Sequence, residues 1–341
     1  MKKVLVGISG GVDSSVSAMI LKEQEYEVIG CTMKLFSDVN NTDSKEVCDK
    51  LNIEYRELDF KDKFKNDVIN YFIDSYKNGE TPNPCVMCNK KLKFGYLYEY
   101  AKENNIDYIA TGHYAKIEYS DKYNRYILKK ADNINKDQSY FLYNIDKNIL
   151  GNIIFPLANF NSKEEIRELA KSKGLKPASK SDSQDICFIP DGNYKKFLIN
   201  SGEVRENIGN IVYNDKVIGK HNGLYNYTIG QRKGLGIAHE NPLYVVGFNK
   251  KNNELIVGEE QDLYIKSFKV KDYNLLLIDE IKEPIKVMVK TRYKSMEYPA
   301  TLTIENNLIN VEFDTKQKGV TPGQSAVFYI DDIVLGGGII V

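Results

Sequence analysis

In the N-terminal part of the chain, two patterns of apolar positions take turns. Short β-branched runs read as buried strands: Lys3-Val4-Leu5-Val6, Glu27 to Phe36, a stretch near Ile53–Leu58, and Asp107 to His113, which ends at a glycine. Between them, helical spacing recurs. Val16 and Ile20 lie one turn apart within Ser15–Lys22, Lys45–Leu51 follows a polar loop, and Phe64, Val68 and Phe72 share one face of Phe60–Tyr76. Strands alternating with helices predict an α/β fold with a doubly wound parallel sheet, whose ligands bind at the carboxyl ends of the strands. Met33, Gly112 and His113 fall at such ends.

Further on, Lys116–Tyr119 and Arg125–Leu128 read as a hairpin. Asp137-Gln138-Ser139 is a polar start to an apolar helix through Leu142, with Asp137 as a candidate cap. Ser162-Lys163-Glu164-Glu165 resembles a capping box opening a helix to about Lys173. From about Ser201 glycines recur and strands shorten: Gly209–Val212, Lys216–Gly219 and Tyr225–Thr228. Gly230–Ile237 is a basic glycine loop, either a hairpin turn or a phosphate-facing loop. From Asp262 a period of two dominates, as in Ile285–Lys290, and Thr321-Pro322-Gly323-Gln324 is a turn before Ala326–Ile330. The expected organisation is therefore a catalytic α/β domain over 1–200, a small β-rich domain over 201–262 and an antiparallel β-barrel over 263–341.

At 341 residues there is length for two or three domains. Lys+Arg and Asp+Glu are both 47, so any nucleic-acid surface must be a local patch. Val4–Ile8 is too short for a signal sequence, and no run approaches the roughly 20 apolar residues of a membrane helix. Five cysteines without framework spacing suit a reducing cytosol, and no membrane is expected as a partner.

The turn between the first strand and first helix is Gly7-Ile8-Ser9-Gly10-Gly11-Val12-Asp13-Ser14-Ser15. A glycine-rich turn opening a helix leaves N–H groups and the positive end of the helix dipole for an anion. Gly10 and Gly11 remove the Cβ that would obstruct phosphate oxygens, Ser9 and Ser14 offer hydroxyls, and Asp13 is placed to cap the helix or hold magnesium. No lysine follows the glycines, which excludes a P-loop, and G-x-G-x-x-G is absent. Ser-Gly-Gly-Val-Asp-Ser-Ser resembles the loop of the ATP pyrophosphatase superfamily, whose members cleave ATP between the α- and β-phosphates.

Cys31 and Cys48 lie within apolar patterns and read as core thiols. Thr81-Pro82-Asn83-Pro84-Cys85-Val86-Met87-Cys88 is different: two prolines display Cys85 and Cys88 on a stiff loop opening a helix. Their position beside Lys90, Lys91 and Lys93 predicts lowered pKa values and partial thiolate character. A four-cysteine zinc site is excluded, since no second C-x-x-C exists, while a zinc site completed by His113 or another histidine stays as an alternative. Cys187, in Ser183-Gln184-Asp185-Ile186-Cys187-Phe188, suits a short buried strand.

Taken together and in order, these motifs, with Ala110-Thr111-Gly112-His113-Tyr114, Asp137-Gln138-Ser139 and Gly230-Gln231-Arg232-Lys233-Gly234, resemble the tRNA-specific 2-thiouridylase family over nearly the whole chain. The resemblance implies ATP-dependent adenylation of C2 of the wobble uridine of tRNA, then sulfur transfer to give 2-thiouridine. Cys187 would bear the persulfide, and Cys88 would be the nucleophile that releases its terminal sulfur. Gly7, Ile8, Ser9, Gly10, Gly11, Val12, Asp13, Ser14, Met33 and Gly112 would hold ATP with Mg2+. Asn83, Pro84 and Cys85 would meet the target base, and His113, Asp137, Gln138, Ser139, Tyr293, Lys294 and Gln324 would contact tRNA. Arg292-Tyr293-Lys294 also pairs basic heads with an aromatic face, which suits a phosphate backbone and an unstacked base. A cysteine desulfurase or sulfur-relay protein would supply the sulfur.

One position departs from the pattern: many family members carry aspartate where this chain has Cys85. Cys85, Cys88 and Cys187 would suffice to hold a [4Fe–4S] cluster with one open iron, an alternative sulfur carrier to the persulfide. Spacing alone leaves both routes open, as it does a Cys88–Cys187 disulfide during turnover. Two other classes remain as alternatives: another ATP-dependent ligase or amidotransferase with this loop, and a non-catalytic iron–sulfur RNA-binding module. The first has no use for two cysteine loops, and the second leaves the complete ATP loop unexplained.

Overall fold

The computed structural model describes residues 1–36, 42–175 and 186–341, which build three sheets. The first is wholly parallel, in the order Glu54–Asp59, Glu27–Lys34, Lys3–Gly7, Tyr108–Ala110, Ile153–Ile154. The chain first winds outward from Lys3–Gly7 on one side, then crosses to the other with Tyr108–Ala110. Strand order therefore reverses between these two strands, and a crevice opens at their carboxyl ends. Helix Val12–Glu23 covers one face, packing Val12, Val16 and Met19 against Ile166 and Ala170 of helix Lys163–Ser172. Ser162 caps the latter by accepting from Glu165 N at 3.1 Å, as its sequence predicts.

Local geometry departs from the sequence expectation at several places along the chain. The Phe60–Tyr76 helix is interrupted: α-helix Lys61–Phe64 and α-helix Asn70–Lys77 flank a π-turn over Lys65–Ile69. Asp137 to Leu142 is not a capped α-helix but a 3-10 turn, Ser139–Phe141. The Asp137 carboxylate folds back to accept from Ala131 N, Ser139 N and Ser139 Oγ, and such local bonds compete with helix. Tyr225–Thr228 is not a strand, because Gly223 at φ +127° turns the chain into a 3-10 turn, Leu224–Asn226, and buries Tyr225.

The second sheet runs Tyr244–Asn249, Glu254–Gly258, Gly209–Tyr213, Lys216–His221. The third is a barrel of Ile265–Leu275, Leu308–Gln317, Tyr298–Glu305, Ile285–Lys290, Ser325–Ile330 and Ile333–Ile340, closed by pairing the first of these with the last. The hairpin Lys116–Ser120/Arg125–Lys129 joins this barrel through the Lys129–Ile333 pair. Its strands thus leave the parallel sheet that precedes them.

One hydrophobic cluster runs through all three units. It gathers Leu5, Phe64, Phe72, Leu92 and Tyr140 with Tyr225 of the central part and Leu276, Val327, Tyr329 and Val334 of the barrel. Burying each large apolar side chain contributes about 1.5–3 kcal/mol before the entropy of ordering it is subtracted. The units share a core. Among the described residues, no helix is long and apolar enough to cross a membrane.

Candidate active site

The phosphate loop sits at the crevice where strand order reverses. Gly11 is the N-cap of helix Val12–Glu23 and offers no side chain to its first-turn N–H groups, which face an open end. A Cβ on Gly11 would meet only Ser9 Oγ, at 3.4 Å, whereas one on Gly10, at φ +75°, would lie 2.9 Å from Asp43 Cβ. Ser14 is buried and inward-looking: its Oγ accepts from Ser9 N at 3.2 Å and donates to Gly11 O at 3.1 Å. It shapes the loop, while Ser9 is exposed. Ile8 O accepts from Thr32 Oγ1 at 2.9 Å, fixing the loop to the strand that ends with Met33 and Lys34.

Asp13 does not cap the helix, contrary to one of the two roles the sequence offers it. Its Oδ1 accepts from Tyr114 Oη at 3.0 Å and its Oδ2 lies 3.9 Å from Lys163 Nζ, which leaves a carboxylate beside the anion site. Gly112 closes the crevice from the neighbouring strand: a Cβ there would stand 2.9 Å from Ser14 N and 3.0 Å from the Asp13 carbonyl carbon. No larger residue fits without moving the phosphate loop.

His113 follows, buried, with Nδ1 2.7 Å from Thr111 Oγ1 and Nε2 3.5 Å from Lys93 Nζ. An ammonium only donates, so Nε2 carries the lone pair and Nδ1–H donates to Thr111. Burial first, and the Lys93 charge second, hold the imidazole well below its ordinary pKa. It is neutral at pH 7. The sequence does not single out Lys93, because its neighbours Lys90 and Lys91 look identical to it there.

The cysteine loop forms as expected. Asn83 caps a short helix, Pro84–Cys88, by accepting from Val86 N at 3.4 Å, with Pro84 at its first position. Gln324 Nε2 donates to Thr81 O and Pro82 O, and Thr81 N donates to Pro322 O at 2.8 Å, so the barrel turn grips this loop. Asn89, next to Cys88, donates through Nδ2 to Phe141 O at 3.1 Å, and its buried Oδ1 has no hydrogen-bond partner among the described residues.

Two expectations about the thiols are corrected. Cys187 is not in a buried strand. A turn closed by Ile189 N donating to Ile186 O at 2.8 Å buries Phe188 against Phe64 and Phe72 and leaves Cys187 exposed. The preceding Ser183, Gln184 and Asp185 lie outside the described residues. The thiols are also not acidified. Burial raises Cys85 and Cys88 above the usual thiol range, outweighing the opposing Lys93 charge. Burial, then the proximity of Cys88 and Cys85, pushes Cys187 up to about 12. Water touches Cys85 and Cys187, yet protein crowds both sulfurs. Cys31 and Cys48 are fully buried core thiols, as read from the sequence.

Cys85, Cys88 and Cys187 lie near enough to feel one another's charge. Among the described residues, however, no three His, Cys, Asp or Glu side chains group closely enough to hold a metal ion. The persulfide route asks for no such group, only Cys88 and Cys187.

The residues expected to contact RNA divide into two sets. Asp137 and Ser139 are buried, Ser139 Oγ lies 3.2 Å from Tyr329 Oη, and Gln138 Oε1 accepts from Tyr114 N at 3.0 Å. These side chains join the catalytic unit to the barrel. Tyr293 is half-buried against Phe141, ring centroids 4.4 Å apart, and Lys294 is exposed. Arg292 is not a free basic head: its Nη2 donates to Thr321 Oγ1 of the barrel turn at 2.6 Å and to Ile229 O at 3.3 Å.

Comparison with known proteins bears on this geometry. Family models described as tRNA methyl transferase HUP domain, tRNA methyl transferase PRC-barrel domain and aminomethyltransferase beta-barrel domain match residues 2–191, 195–259 and 265–340. A "tRNA-specific 2-thiouridylase MnmA" of Acetivibrio thermocellus is 47% identical, covering 99% of each chain. Those of Clostridioides difficile and Caldicellulosiruptor saccharolyticus are 43% and 45% identical over 99% of this chain and 98% of theirs. Relatives 43–47% identical over nearly the whole chain and a family model over residues 2–191 agree with the glycine loop at the strand-order reversal: the chain belongs to the tRNA-specific 2-thiouridylase family.

Proposed function

We propose that this protein uses ATP to replace the C2 oxygen of the wobble uridine of tRNA with sulfur. What supports this is an uncapped helix N-terminus touched by Gly112, whose neighbour His113 lies 3.5 Å from Lys93 Nζ, the cation whose charge acts on Cys88 and Cys187. ATP lies along Gly7 to Ser14, with Met33 and Gly112 lining its other side. Asp13 would hold a magnesium ion, which would neutralise phosphate charge. Asn83, Pro84 and Cys85 face the target base, with Tyr293 and Lys294 in the surrounding RNA surface, while Gln324 and the buried His113 support that surface from behind, through the cysteine loop and Lys93. Residues 1–200 carry the chemistry, and 201–262 and 263–341 complete the RNA-facing side.

The uridine C2 oxygen attacks the ATP α-phosphorus as N3 loses its proton, and pyrophosphate leaves. The helix N-terminus stabilises the charge that develops. The terminal sulfur of a Cys187 persulfide, charged by a cysteine desulfurase or relay protein, attacks C2, and AMP departs with the oxygen. Cys88 thiolate then attacks Cys187 Sγ. The S–S electron pair passes to the sulfur left on C2, N3 regains a proton, and a Cys88–Cys187 disulfide forms. An external dithiol reduces that disulfide to close the cycle.

The test is pyrophosphate release and nucleoside mass spectrometry, with ATP, a persulfide donor, and tRNA carrying an unmodified wobble uridine. tRNA-dependent pyrophosphate release with 2-thiouridine formation is expected. Release without tRNA, or a different product, would favour another ATP-dependent ligase.

A further inference from the structure

Directly after Cys88 the chain winds as a π-helix, Asn89–Tyr96. Its hydrogen bonds span five residues instead of four, so Lys93, five positions after Cys88, returns toward the side of the helix that Cys88 occupies. In α geometry it would point about 140° away. Gly95 belongs to this widening: a Cβ there would sit 3.0 Å from Lys90 O, five positions back. The Lys93 ammonium stands 3.5 Å from His113 Nε2, and His113 adjoins Gly112, which touches the phosphate loop. A neutral imidazole accepts from the ammonium without cancelling its charge.

The charge of that cation also reaches the sulfur side, acting on Cys85 and Cys88 second only to burial and more weakly on Cys187. Protein crowds these thiols, and a low-dielectric surrounding both penalises anionic sulfur and strengthens one well-placed opposite charge. Lys90 and Lys91 are exposed and do not share this position.

Granted the roles proposed above for Cys88 and Cys187, we propose that Lys93 is a catalytic residue of sulfur transfer, held by the π-helix to face the anionic sulfur. As the persulfide sulfur attacks C2 and AMP leaves, and again as Cys88 cleaves the S–S bond and the electron pair passes to the C2 sulfur, negative charge moves among three sulfurs. The ammonium faces each in turn. It gives up no proton and changes no oxidation state, so the overall balance is that of the reaction above.

Full-length Lys93→Met, Lys93→Arg and Gly95→Ala proteins test this, with pyrophosphate release and 2-thiouridine measured on the same single-turnover samples. Lys93→Met is expected to lower the thiolation rate roughly 100-fold, as loss of one electrostatic stabiliser does, and far more than pyrophosphate release. Lys93→Arg should recover at least about tenfold of that loss, because a cation at the site and not mere packing is required. Gly95→Ala keeps the charge but disturbs the π-turn and should lower thiolation selectively. Wild-type thiolation by Lys93→Met, or an equal fall of both products with no rescue by arginine, would overturn the proposal. If Lys93→Met fails to fold, the Arg and Gly95→Ala proteins decide by the same ratio. Normal thiolation by Cys88→Ser and Cys187→Ser would instead show that the cysteine assignment had failed.

Discussion

Gln324 Nε2 donates to Thr81 O at 2.9 Å and to Pro82 O at 3.2 Å, tying the barrel's 321–324 turn to the loop that presents Cys85 and Cys88. Gly323 makes the approach feasible, since a Cβ there would lie 2.7 Å from Thr81 N. The barrel and the sulfur-bearing loop are thus one mechanical piece.

Gln324→Ala should therefore destabilise the protein by about 1–3 kcal/mol, leaving two carbonyls without their donor. Thiolation should fall while pyrophosphate release is better retained. Chemical denaturation and the two product assays check this. Weaker tRNA binding at unchanged stability would assign Gln324 to RNA contact alone.

A second expectation concerns Gly11. Its Cβ position is nearly open, so Gly11→Val should fold normally yet project a side chain into the anion site. Asp13→Ala removes the carboxylate beside that site. Both should lose pyrophosphate release by two or more orders of magnitude, the scale of a lost transition-state contact. Near wild-type release in both would remove ATP from this loop.

Sequence legibility is uneven, for identifiable reasons. The parallel sheet shows in the alternation of β-branched runs and helical spacing, and the phosphate loop in its strand–glycine–helix context. Both signals are local. The attachment of Arg125–Lys129 to the barrel runs through the Lys129–Ile333 pair and the adjoining bond from Lys130 N to Asp332 O, across some two hundred positions, and no local pattern encodes it. Cys187 is misread as strand because Ile186, Phe188 and Ile189 flank it, while the buried aromatic contacts of Phe188 enforce a turn. Lys93 stays hidden because helical spacing assumes 3.6 residues per turn, and the π-helix breaks that count.

Cys85 gives a third test. If the persulfide route operates, Cys85→Ala and Cys85→Asp should keep most thiolation, and Cys88→Ser and Cys187→Ser should abolish it. Iron content and thiolation measured on the same anaerobic samples decide between routes. Iron, visible absorption and activity lost together in Cys85→Ala would establish a cluster.

The fourth concerns acid stability. His113 is held neutral by burial and the Lys93 charge, so its folded pKa lies below the unfolded value of about 6.5. Below that pH the unfolded chain binds a proton that the folded chain refuses. Stability should fall as pH drops from about 6.5, by at most about 1.4 kcal/mol per pH unit from this residue. His221, also lowered by burial, adds a similar trend. Urea unfolding of His113→Gln between pH 6.5 and 5 should show a shallower slope than wild type, and an unchanged slope would contradict the assignment.

The hydrophobic cluster that includes Val327, Tyr329 and Val334 sets an order on how the molecule is made. A growing chain that has emerged only through the helix Tyr194–Asn200 already contains its ATP loop and all five cysteines, but the apolar face awaiting those barrel residues is still bare. Such an intermediate exposes the kind of surface that chaperones bind and that aggregates form from. The reactive thiols are therefore synthesised long before the core around them can be completed, and assembly of the sulfur site waits on the last two strands.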